Sequence, residues 1–427
     1  MYFQETGEIP NQQRSGEKMN LLYILLVLLF ATRLFGEFAE RLKQPALVGE
    51  LIAGIAMGAI FHRYSDYLPI LANISENEVF KGLTDLSIFF LMLLAGIELR
   101  PRDLVKASGP ALAMAVGGMV LPLILGFGLG WLYLPASQYK IAQSLFLSVA
   151  LAITAVPVSV KILMDLGLLK TKLGQSIVSA ALFDDIFSLI LLAVLTAVIK
   201  TGDAPGTGEL LVLSAKVIAF FITTSIIGYF ILPYLNKILV KFKTDDFEFS
   251  ALLMVALIFA LMGEYFGMHF IMGAFLAGLF FVRRNMKDEI YNSIRSSLMS
   301  WTMGFFGPIF FASIGLHLNL AALTEIPIFV LLLCTAAFLG KLLGAGLPAY
   351  FIGFSTRQSV GIGTAMSARG AVELIIAGIA IEAGLFNHPN PAPPVVDFMF
   401  SAVVIMTLLT TLVTPLVMRS LLGTKKE

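Results

Sequence analysis

Two adjacent acids, Asp184 and Asp185, lie inside SAALFDDIFSLILLAV (residues 179–194), a stretch that is otherwise suited to lipid. An aspartate near the centre of a membrane helix costs roughly 2.5–3.5 kcal/mol of insertion free energy, whereas each Leu, Ile, Phe or Val contributes only about 0.3–0.6 kcal/mol. The pair therefore cancels most of what its apolar neighbours supply. Such residues mark a functional site facing water or a partner by default; the alternative is an ion pair that only holds helices together.

A lysine deep in a distant apolar stretch is the candidate partner for one of these acids. It is Lys341, in AAFLGKLLGAGLP (336–348), where Ala and Gly neighbours permit close approach of another helix. Successive residues of a helix point about 100° apart, so Asp184 and Asp185 cannot both face the same partner. We therefore predict that Asp184 pairs with Lys341 and that Asp185 faces a cavity.

Asp185 could then form a cation site built from oxygen atoms alone. Its carboxylate would lie beside free backbone carbonyls and the Thr154 hydroxyl, a set of ligands that suits a hard cation such as sodium or lithium. One carboxylate cannot hold a proton and a metal ion at once, so the two would compete for Asp185. Such competition is the simplest means of exchanging a cation for protons, and it requires no cofactor.

The free carbonyls are expected from two stretches that interrupt the helical pattern at matching places. LAITAVPVSVK (151–161) carries Pro157 in mid-span, which removes a backbone donor and leaves the carbonyl near Ile153 without its helical partner. Its counterpart is the glycine-rich VGIGTAMSARGAVELI (360–375). Interrupted helices in corresponding halves of a transporter meet near the bilayer midplane. A simple proline kink combined with tight glycine packing is the alternative.

The second interrupted stretch also contains polar residues that a membrane span rarely carries. These are Ser367, Arg369 and Glu373, with Gly370 between the last two. Arg369 and Glu373 are four residues apart, the ordinary spacing of an ion pair on one helix. Because they can neutralise each other, we interpret them mainly as structural.

The composition determines which class of protein positions these residues. Of the 427 residues, 58% are hydrophobic and 13% are charged, which excludes a soluble globular domain. Long apolar runs indicate membrane-spanning helices of about 20 residues each, because helices satisfy every backbone polar group in a bilayer. The formal net charge of +1 gives no reason to expect nucleic-acid binding. A single cysteine and four scattered histidines offer no metal-ligand pattern.

Apolar runs between charged or Gly/Pro breaks predict an all-α integral membrane protein with thirteen transmembrane helices. The predicted spans are 19–37, 46–61, 79–98, 110–134, 141–163, 176–199, 209–233, 247–263, 268–282, 300–316, 326–352, 360–383 and 397–421. Residues 1–18 form a polar tail, and 422–427 a short C-terminal one. Lys and Arg concentrate in alternate loops, which places the N-terminus outside and the C-terminus in the cytoplasm, in the cell (inner) membrane.

Internal similarity predicts two inverted-topology repeats with two discontinuous crossing helices. The matching pairs are LVGELIAGIAMG (47–58) with HFIMGAFLAGLF (269–280), and FFLMLLAGIELRPRDL (89–104) with FGPIFFASIGLHLNLA (306–321). Both pairs are separated by about 220 residues, as expected of a duplication. In each pair the second member lies seven spans further along the chain than the first, so the repeats, 19–200 and 244–421, have opposite orientation. Residues 201–243 then hold a linker helix.

In these residues the sequence resembles the monovalent cation:proton antiporter family, and within it the electrogenic sodium/proton branch with a paired-aspartate motif. The resemblance covers 19–421 and rests on PALVGELIAGI (45–55), TAVPVSV (154–160), FDD (183–185), LGKLLGAGLP (339–348) and SARGAVELI (367–375). FDD with a downstream membrane lysine is a specific combination, whereas TAVP is shared more loosely.

The resemblance implies thirteen helices and a homodimer in membrane lipid, with a role in pH homeostasis. A core transport domain, from 110–200 and 326–421, would move against a dimer domain, from 19–98 and 247–316. The resemblance also implies exchange of two protons for one sodium ion by alternating access. The implied site residues are Asp185 as the carrier of sodium and protons, Asp184 as the partner of Lys341, and Thr154 beside the crossing point.

Several other functions are weighed against this one. Potassium-handling relatives often carry a soluble nucleotide-binding domain after the last helix, whereas only LLGTKKE follows here, which favours sodium. A potassium/proton antiporter of the same family remains an alternative, as does an organic-anion carrier of the same fold, although the buried acids are then harder to explain. An ion channel would not need duplicated interrupted helices. An aspartic protease needs its acids on separate helices and a GxGD sequence, which is absent, so we expect no enzyme.

Overall fold

The structure is a computed structural model that describes residues 11–42, 44–64, 66–67, 71, 74, 77–98, 109–154, 159, 162–163, 166–168, 171–201, 207–232, 247–281 and 288–422. The regular elements within these residues are all helices, numbered here in chain order. Those before residue 281 are α1 (Asn11–Arg41), α2 (Ala46–Arg63), α3 (Glu78–Glu98), α4 (Gly109–Tyr133), α5 (Lys140–Ala152), α6 (Lys172–Thr201), α7 (Thr207–Ile226), α8 (Phe247–Tyr265) and α9 (Phe270–Phe280). Those after it are α10 (Asp288–Trp301), α11 (Gly307–His317), α12 (Ala322–Glu325), α13 (Pro327–Phe351), α14 (Thr356–Met366), α15 (Ala371–Glu382), α16 (Pro394–Asp397) and α17 (Met399–Leu422).

The described helices are those of a membrane protein. Seven of the described helical stretches are long and apolar enough to cross a bilayer, one of them formed by α10 and α11 with the π-helix Thr302–Phe306 between them, and four further apolar stretches are shorter. The seven are Leu21–Arg41, Glu78–Glu98, Gly109–Tyr133, Phe247–Tyr265, Tyr291–His317, Pro327–Phe351 and Met399–Leu422. The all-helical membrane class expected from the sequence is therefore confirmed for the described residues, while the total of thirteen crossings stays a prediction.

Helix bounds differ from the predicted spans in three places. α1 begins at Asn11, so residues 11–18 of the predicted polar tail belong to a helix. The predicted span 141–163 contains α5, which ends at Ala152. The span 360–383 consists of two helices, α14 and α15, with a break at residues 367–370, inside the stretch that was predicted to be interrupted. Hydropathy misses these ends because it reports contact with lipid, whereas a helix ends where backbone hydrogen bonding changes.

The chain divides into two compact units. The first comprises residues 1–88 and 303–317, and the second comprises residues 89–302 and 318–427. The predicted core and dimer domains have different bounds. Because they concern movement during transport, which packing in one conformation does not test, they stay a prediction.

Helices α1, α2 and α11 pack closely in the first unit, where glycines of α2 meet neighbouring backbones. A Cβ atom at Gly49 would overlap the Phe35 carbonyl of α1, and one at Gly54 would overlap the Ala312 carbonyl of α11. Small residues at these positions let two helices approach to backbone contact, which is how helices without a hydrophobic driving force associate in lipid.

The second unit repeats this packing with α3, α8 and α9. A Cβ atom at Gly273 would overlap the Phe259 carbonyl of α8, and one at Gly278 would overlap the Leu93 carbonyl of α3. Each α9 glycine, and the α8 carbonyl beside it, lies the same number of residues after its counterpart in the first unit. This recurrence supports the predicted duplication, whereas the opposite orientation of the two halves stays a prediction.

The first unit also contains a buried acid. Glu50 of α2 is 4% exposed, and its Oε1 lies 3.6 Å from Nη1 of Arg33 on α1. The Arg33 guanidinium also donates to the carbonyl of Met303. The arginine thus neutralises a carboxylate that the bilayer would otherwise disfavour.

Candidate ion-binding site

Helices α6 and α13 each contribute one charged side chain to a buried ion pair. Nζ of Lys341 lies 2.9 Å from Oδ1 and 3.2 Å from Oδ2 of Asp184, so the ammonium group donates to both carboxylate oxygens. Both side chains are 0% exposed. The structure therefore brings together the two residues that the sequence suggested as partners, while their role in ion or proton binding stays a prediction.

Two further residues of the predicted site cannot be placed in the same way. Asp185 follows Asp184 on α6, but its side chain lies outside the described residues. Pro157 lies outside them altogether. Asp185 as the carrier and Pro157 as the helix-interrupting residue therefore stay predictions.

Close packing around α13 positions Lys341. A Cβ atom at Gly344 would overlap the Gly117 carbonyl of α4, and one at Gly117 would overlap the Gly344 carbonyl. α14 approaches as closely, since a Cβ atom at Gly363 would overlap the Leu342 carbonyl. The glycines that the sequence suggested for close approach thus bring the α13 backbone into contact with two neighbours, which restricts where the lysine can lie.

The first interrupted helix is α5. The helix ends at Ala152, and Ile153 is extended, with φ −75° and ψ 145°. The next residue, Thr154, is buried and donates its hydroxyl hydrogen to the carbonyl of Met366, the last residue of α14, at 3.0 Å. Thr154 therefore connects the end of one interrupted helix to the end of the other.

The second interruption lies at residues 367–370, between α14 and α15. Ser367 is fully buried, and its hydroxyl donates to the carbonyl of Gly363 at 2.9 Å, which satisfies a carbonyl in the last turn of α14. Gly370 is extended, with φ −169° and ψ −149°, before α15 begins at Ala371. The backbone thus leaves the helix where the glycine-rich stretch predicted.

Arg369 satisfies the carbonyl groups at the end of α5. Its side chain is fully buried, and Nη1 donates to the carbonyls of Ala150 and Ile153 at 2.6 and 2.8 Å, while Nη2 donates to Leu151 at 2.6 Å. A cation here pairs with carbonyls that lack helical donors and opposes the negative end of the helix dipole. The carbonyl near Ile153, expected to be free for a cation, is therefore occupied by the guanidinium group.

Arg369 and Glu373 do not share one helix, as their spacing suggested. Arg369 lies in the break, and the extended Gly370 separates it from α15, which carries Glu373. Nη1 of Arg369 and Oε2 of Glu373 are 3.7 Å apart, so the ion pair exists, but the contacts of Arg369 with α5 are shorter. The arginine therefore acts across the two interruptions as well as locally.

The crossing of the two interrupted helices lies close to the Asp184–Lys341 pair. Nη2 of Arg369 is 3.5 Å from the carbonyl of Ala337, which precedes Lys341 by one helical turn on α13. One turn of an α-helix spans about 5.4 Å. Two buried cations, two buried carboxylates and a hydroxyl group are thus gathered in one part of the second unit.

Two hydroxyl groups at the crossing were not identified from the sequence. Ser159 donates to the carbonyl of Ala365, and Thr411 of α17 donates to the carbonyl of Arg369 at 2.9 Å. Both lie in otherwise apolar spans, which was the available signal. A hydroxyl in a membrane helix most often bonds within its own helix, however, and the sequence does not distinguish that case from a bond to a neighbour.

Comparison with known proteins assigns this fold to a family. Residues 24–423 match the family described as "Sodium/hydrogen exchanger, transmembrane". The chain is 32% identical over 410 residues to the Na(+)/H(+)-K(+) antiporter GerN of Bacillus cereus, covering 96% of this chain and 98% of GerN. It is 28% identical over 404 residues to a Na(+)/H(+) antiporter of Enterococcus hirae, covering 94% and 98% of the two chains.

A solved structure supports the fold independently. The sodium proton antiporter MjNhaP1 from Methanocaldococcus jannaschii at pH 8 superposes with a TM-score of 0.71 at 18% identity, over 95% of this chain and 99% of that one. The agreement of helical fold, buried charges and family match over nearly the whole chain leads to one assignment. The chain belongs to the sodium/hydrogen exchanger family and is a membrane transporter of the cation/proton antiporter type, not an enzyme.

Proposed function

We propose that the chain exchanges sodium or lithium for protons across a membrane by alternating access. The observation that carries this proposal is the fully buried Asp184–Lys341 pair, which lies one helical turn from the crossing of two interrupted helices. Charged groups in such a position are costly in a bilayer and mark ion or proton pathways. The names of the antiporters GerN and MjNhaP1, which resemble this chain in sequence or fold, support sodium and protons as substrates.

Asp185 is the proposed carrier, and cations and protons compete for its carboxylate. Thr154 can add a ligand, because its hydroxyl hydrogen is donated to Met366 and its lone pairs remain available for a cation. Arg369 occupies the carbonyls at the end of α5, and its positive charge repels a second cation from that place. We therefore expect the cation to bind on the side of Asp185 and Thr154.

The exchange is proposed to be electrogenic, with two protons moving against one sodium ion. Two proton-binding groups are then needed, and they are Asp185 and the Asp184–Lys341 pair. When a cation occupies Asp185, it adds a positive charge near the pair and favours loss of a proton there. This step adds a second proton to the competition mechanism and requires only groups of α6 and α13.

The remaining expectations belong to the same proposal. The chain forms a homodimer in the inner membrane, with its N-terminus outside and its C-terminus in the cytoplasm. A core domain from 110–200 and 326–421 moves against a dimer domain from 19–98 and 247–316. Two inverted repeats generate this arrangement, and the recurring glycine contacts of α2 and α9 support the duplication.

Potassium is the second candidate substrate. The name of GerN, 32% identical to this chain, includes potassium as well as sodium. Both ions would use the same oxygen ligands, so the proposed ligands, Asp185 and Thr154, do not separate them. Direct comparison of ions decides between the two.

The test uses purified protein in liposomes that contain a pH-sensitive dye and carry an imposed pH gradient. Addition of sodium or lithium should collapse the pH gradient. A response to potassium alone would show that potassium, and not sodium, is the substrate. Asp185→Asn should abolish the response. Glu98→Gln is the matched control, because it neutralises an acid that is 36% exposed and paired with Arg295 at 3.1 Å. Retained exchange in Asp185→Asn would remove that residue from its proposed role.

A further inference from the structure

Helices α5 and α15 are joined at a second place, far from the crossing. Gln143, in the first turn of α5, is fully buried. Its Nε2 donates to the carbonyl of Leu385 at 2.9 Å and to the carbonyl of His388 at 2.6 Å. Both acceptors lie just after α15, where Gly384 turns the chain in a left-handed conformation with φ 66°. One side chain thus ties the start of α5 to the end of α15.

The chemistry of the side chain specifies its role. Both partners are carbonyl oxygens, so the amide nitrogen must face them and uses both of its hydrogens. The Oε1 atom of Gln143 is buried and has no hydrogen-bond partner among the described residues. An apolar side chain of equal length would avoid that unpaired oxygen. The two donated bonds therefore account for an amide at this position.

Aromatic contacts reinforce the same junction. The Tyr139 ring, which precedes α5, stacks on the His388 ring at 4.3 Å between centroids and 7° between planes. The Phe146 and Phe386 rings meet edge to face at 5.1 Å. The turn that follows α15 is therefore fixed to α5 through polar and apolar contacts together.

The two junctions act at opposite ends of the same pair of half-helices. Arg369, just before α15, holds the last carbonyls of α5, and Gln143, in the first turn of α5, holds two carbonyls of the turn after α15. From Gln143 to Ala152 the rise is about 13 Å at 1.5 Å per residue. Two attachments at that separation restrict pivoting of α5 against α15 more than the Arg369 contacts alone would.

We propose that Gln143 is a positioning residue for the cation site, acting through α5 on Thr154, the residue that follows its end. This inference rests on the proposed function. When the Gln143 attachment is lost, only the ring contacts hold the start of α5 to the turn after α15, and a tilt of α5 would displace the Thr154 hydroxyl relative to α6. Small displacements of ligand groups from their productive geometry have large effects on rate and affinity. Gln143 therefore acts on cation binding without touching the cation.

The experiment measures sodium-dependent exchange and thermal unfolding of Gln143→Met in the full chain. Methionine keeps the length of the side chain and removes both donors. We expect the apparent KM for sodium to rise on the order of tenfold. The matched control is Gln175→Met, the same change at an exposed position on α6. If Gln143→Met does not fold, Tyr139→Leu weakens the same junction from the ring stack, and its KM is expected to rise likewise.

A double variant separates positioning from simple anchoring of the turn. Thr154→Val removes the hydroxyl through which Gln143 is proposed to act, so Gln143→Met in that background should change KM far less than in the wild type. Undiminished effects in the double variant, or a lower melting temperature with an unchanged KM, would overturn the inference. Absence of exchange in the wild type would instead overturn the proposed function, which is a different result.

Discussion

Asp184 and Lys341 carry charges in surroundings where neither charge would be stable alone. Each ion costs several kcal/mol to transfer from water even after the protein relaxes, and attraction between them offsets this cost only when the geometry is good. Here the ammonium group donates to both carboxylate oxygens at 2.9 and 3.2 Å. The stability of each residue therefore depends on the presence of the other.

Lys341→Ala should reduce the free energy of unfolding by about 3–5 kcal/mol, because it leaves the Asp184 carboxylate buried without its cation. Thermal unfolding of purified protein in detergent measures the effect. The double variant Lys341→Ala with Asp184→Asn should recover part of the loss, since the uncompensated charge is then absent. If the destabilisation of the double variant equalled the sum of the two single effects, the residues would be independent and their ion pair would not contribute to stability.

The sequence predicted the contact of Lys341 with Asp184 but not the contacts of Arg369 with the end of α5. Lys341 could be paired with Asp184 because a lysine deep in an apolar span has few places to find an acid. The spacing of Arg369 pointed to Glu373, four residues away. Its shorter contacts are with the end of α5, distant in sequence, and local spacing contains no information about them.

At the scale of elements, two interrupted helices complete each other's hydrogen bonding. Thr154, after α5, donates to the last carbonyl of α14, and Arg369, after α14, donates to the last carbonyls of α5. Backbone carbonyls left unpaired in a membrane are costly, so each interruption requires the other. Hydropathy alone shows no gap in either span, because the residues at the interruptions are small or lie among apolar neighbours. Pro157 and the glycines of 360–375 are the residues that predicted the interruptions.

Close approach of α4 and α13 gives a direct prediction about glycine. In an exposed helix, Ala is favoured over Gly by roughly 0.5–1 kcal/mol. At Gly344 the order should reverse, because the added Cβ atom would overlap the Gly117 carbonyl, and overpacking of this kind costs about 1–3 kcal/mol. Gly344→Ala should therefore lower the melting temperature in detergent.

Gly128→Ala, on the neighbouring helix α4, is the matched control, since nothing lies within 4 Å of its added Cβ atom. This variant should be as stable as the wild type or slightly more so. Equal melting temperatures for the Gly344 and Gly128 variants would mean that the two helices are not in backbone contact, and the placement of Lys341 would then lose its explanation.

At the scale of the molecule, the duplication was predicted from weak similarity within two pairs of apolar segments. The glycine contacts give that similarity a physical basis, because Gly49 against α1 and Gly273 against α8 are the same contact in two places. The orientation and the number of the membrane-spanning helices could not be determined from the sequence in the same way. Apolar segments are alike whichever way they cross, and only specific close contacts distinguish related helices from unrelated ones.

Gly49→Ala and Gly273→Ala should therefore destabilise the protein to a similar extent. Each adds a Cβ atom that would overlap a backbone carbonyl, that of Phe35 in one unit and that of Phe259 in the other. Comparison of the two melting temperatures, with Gly82→Ala as a control that meets nothing within 4 Å, tests this equivalence. A large loss in one variant and none in the other would contradict it.

The buried charges predict that each transport cycle moves net charge across the membrane. If two protons exchange for one sodium ion, an inside-negative potential should drive protons in and accelerate sodium efflux from loaded liposomes at equal pH on both sides. Movement of one net charge across a potential of 100 mV changes the free energy of the cycle by about 2.3 kcal/mol. A driving force of this size should produce a measurable change in the rate of tracer sodium efflux. Liposomes that contain Asp185→Asn measure the passive leak of sodium under the same potential.

Lys341→Ala, if it folds, should keep some exchange and lose the voltage dependence, because the second proton-binding group is then missing. Sodium efflux that ignores the potential in the wild type would establish one-for-one exchange and leave Lys341 a structural residue alone.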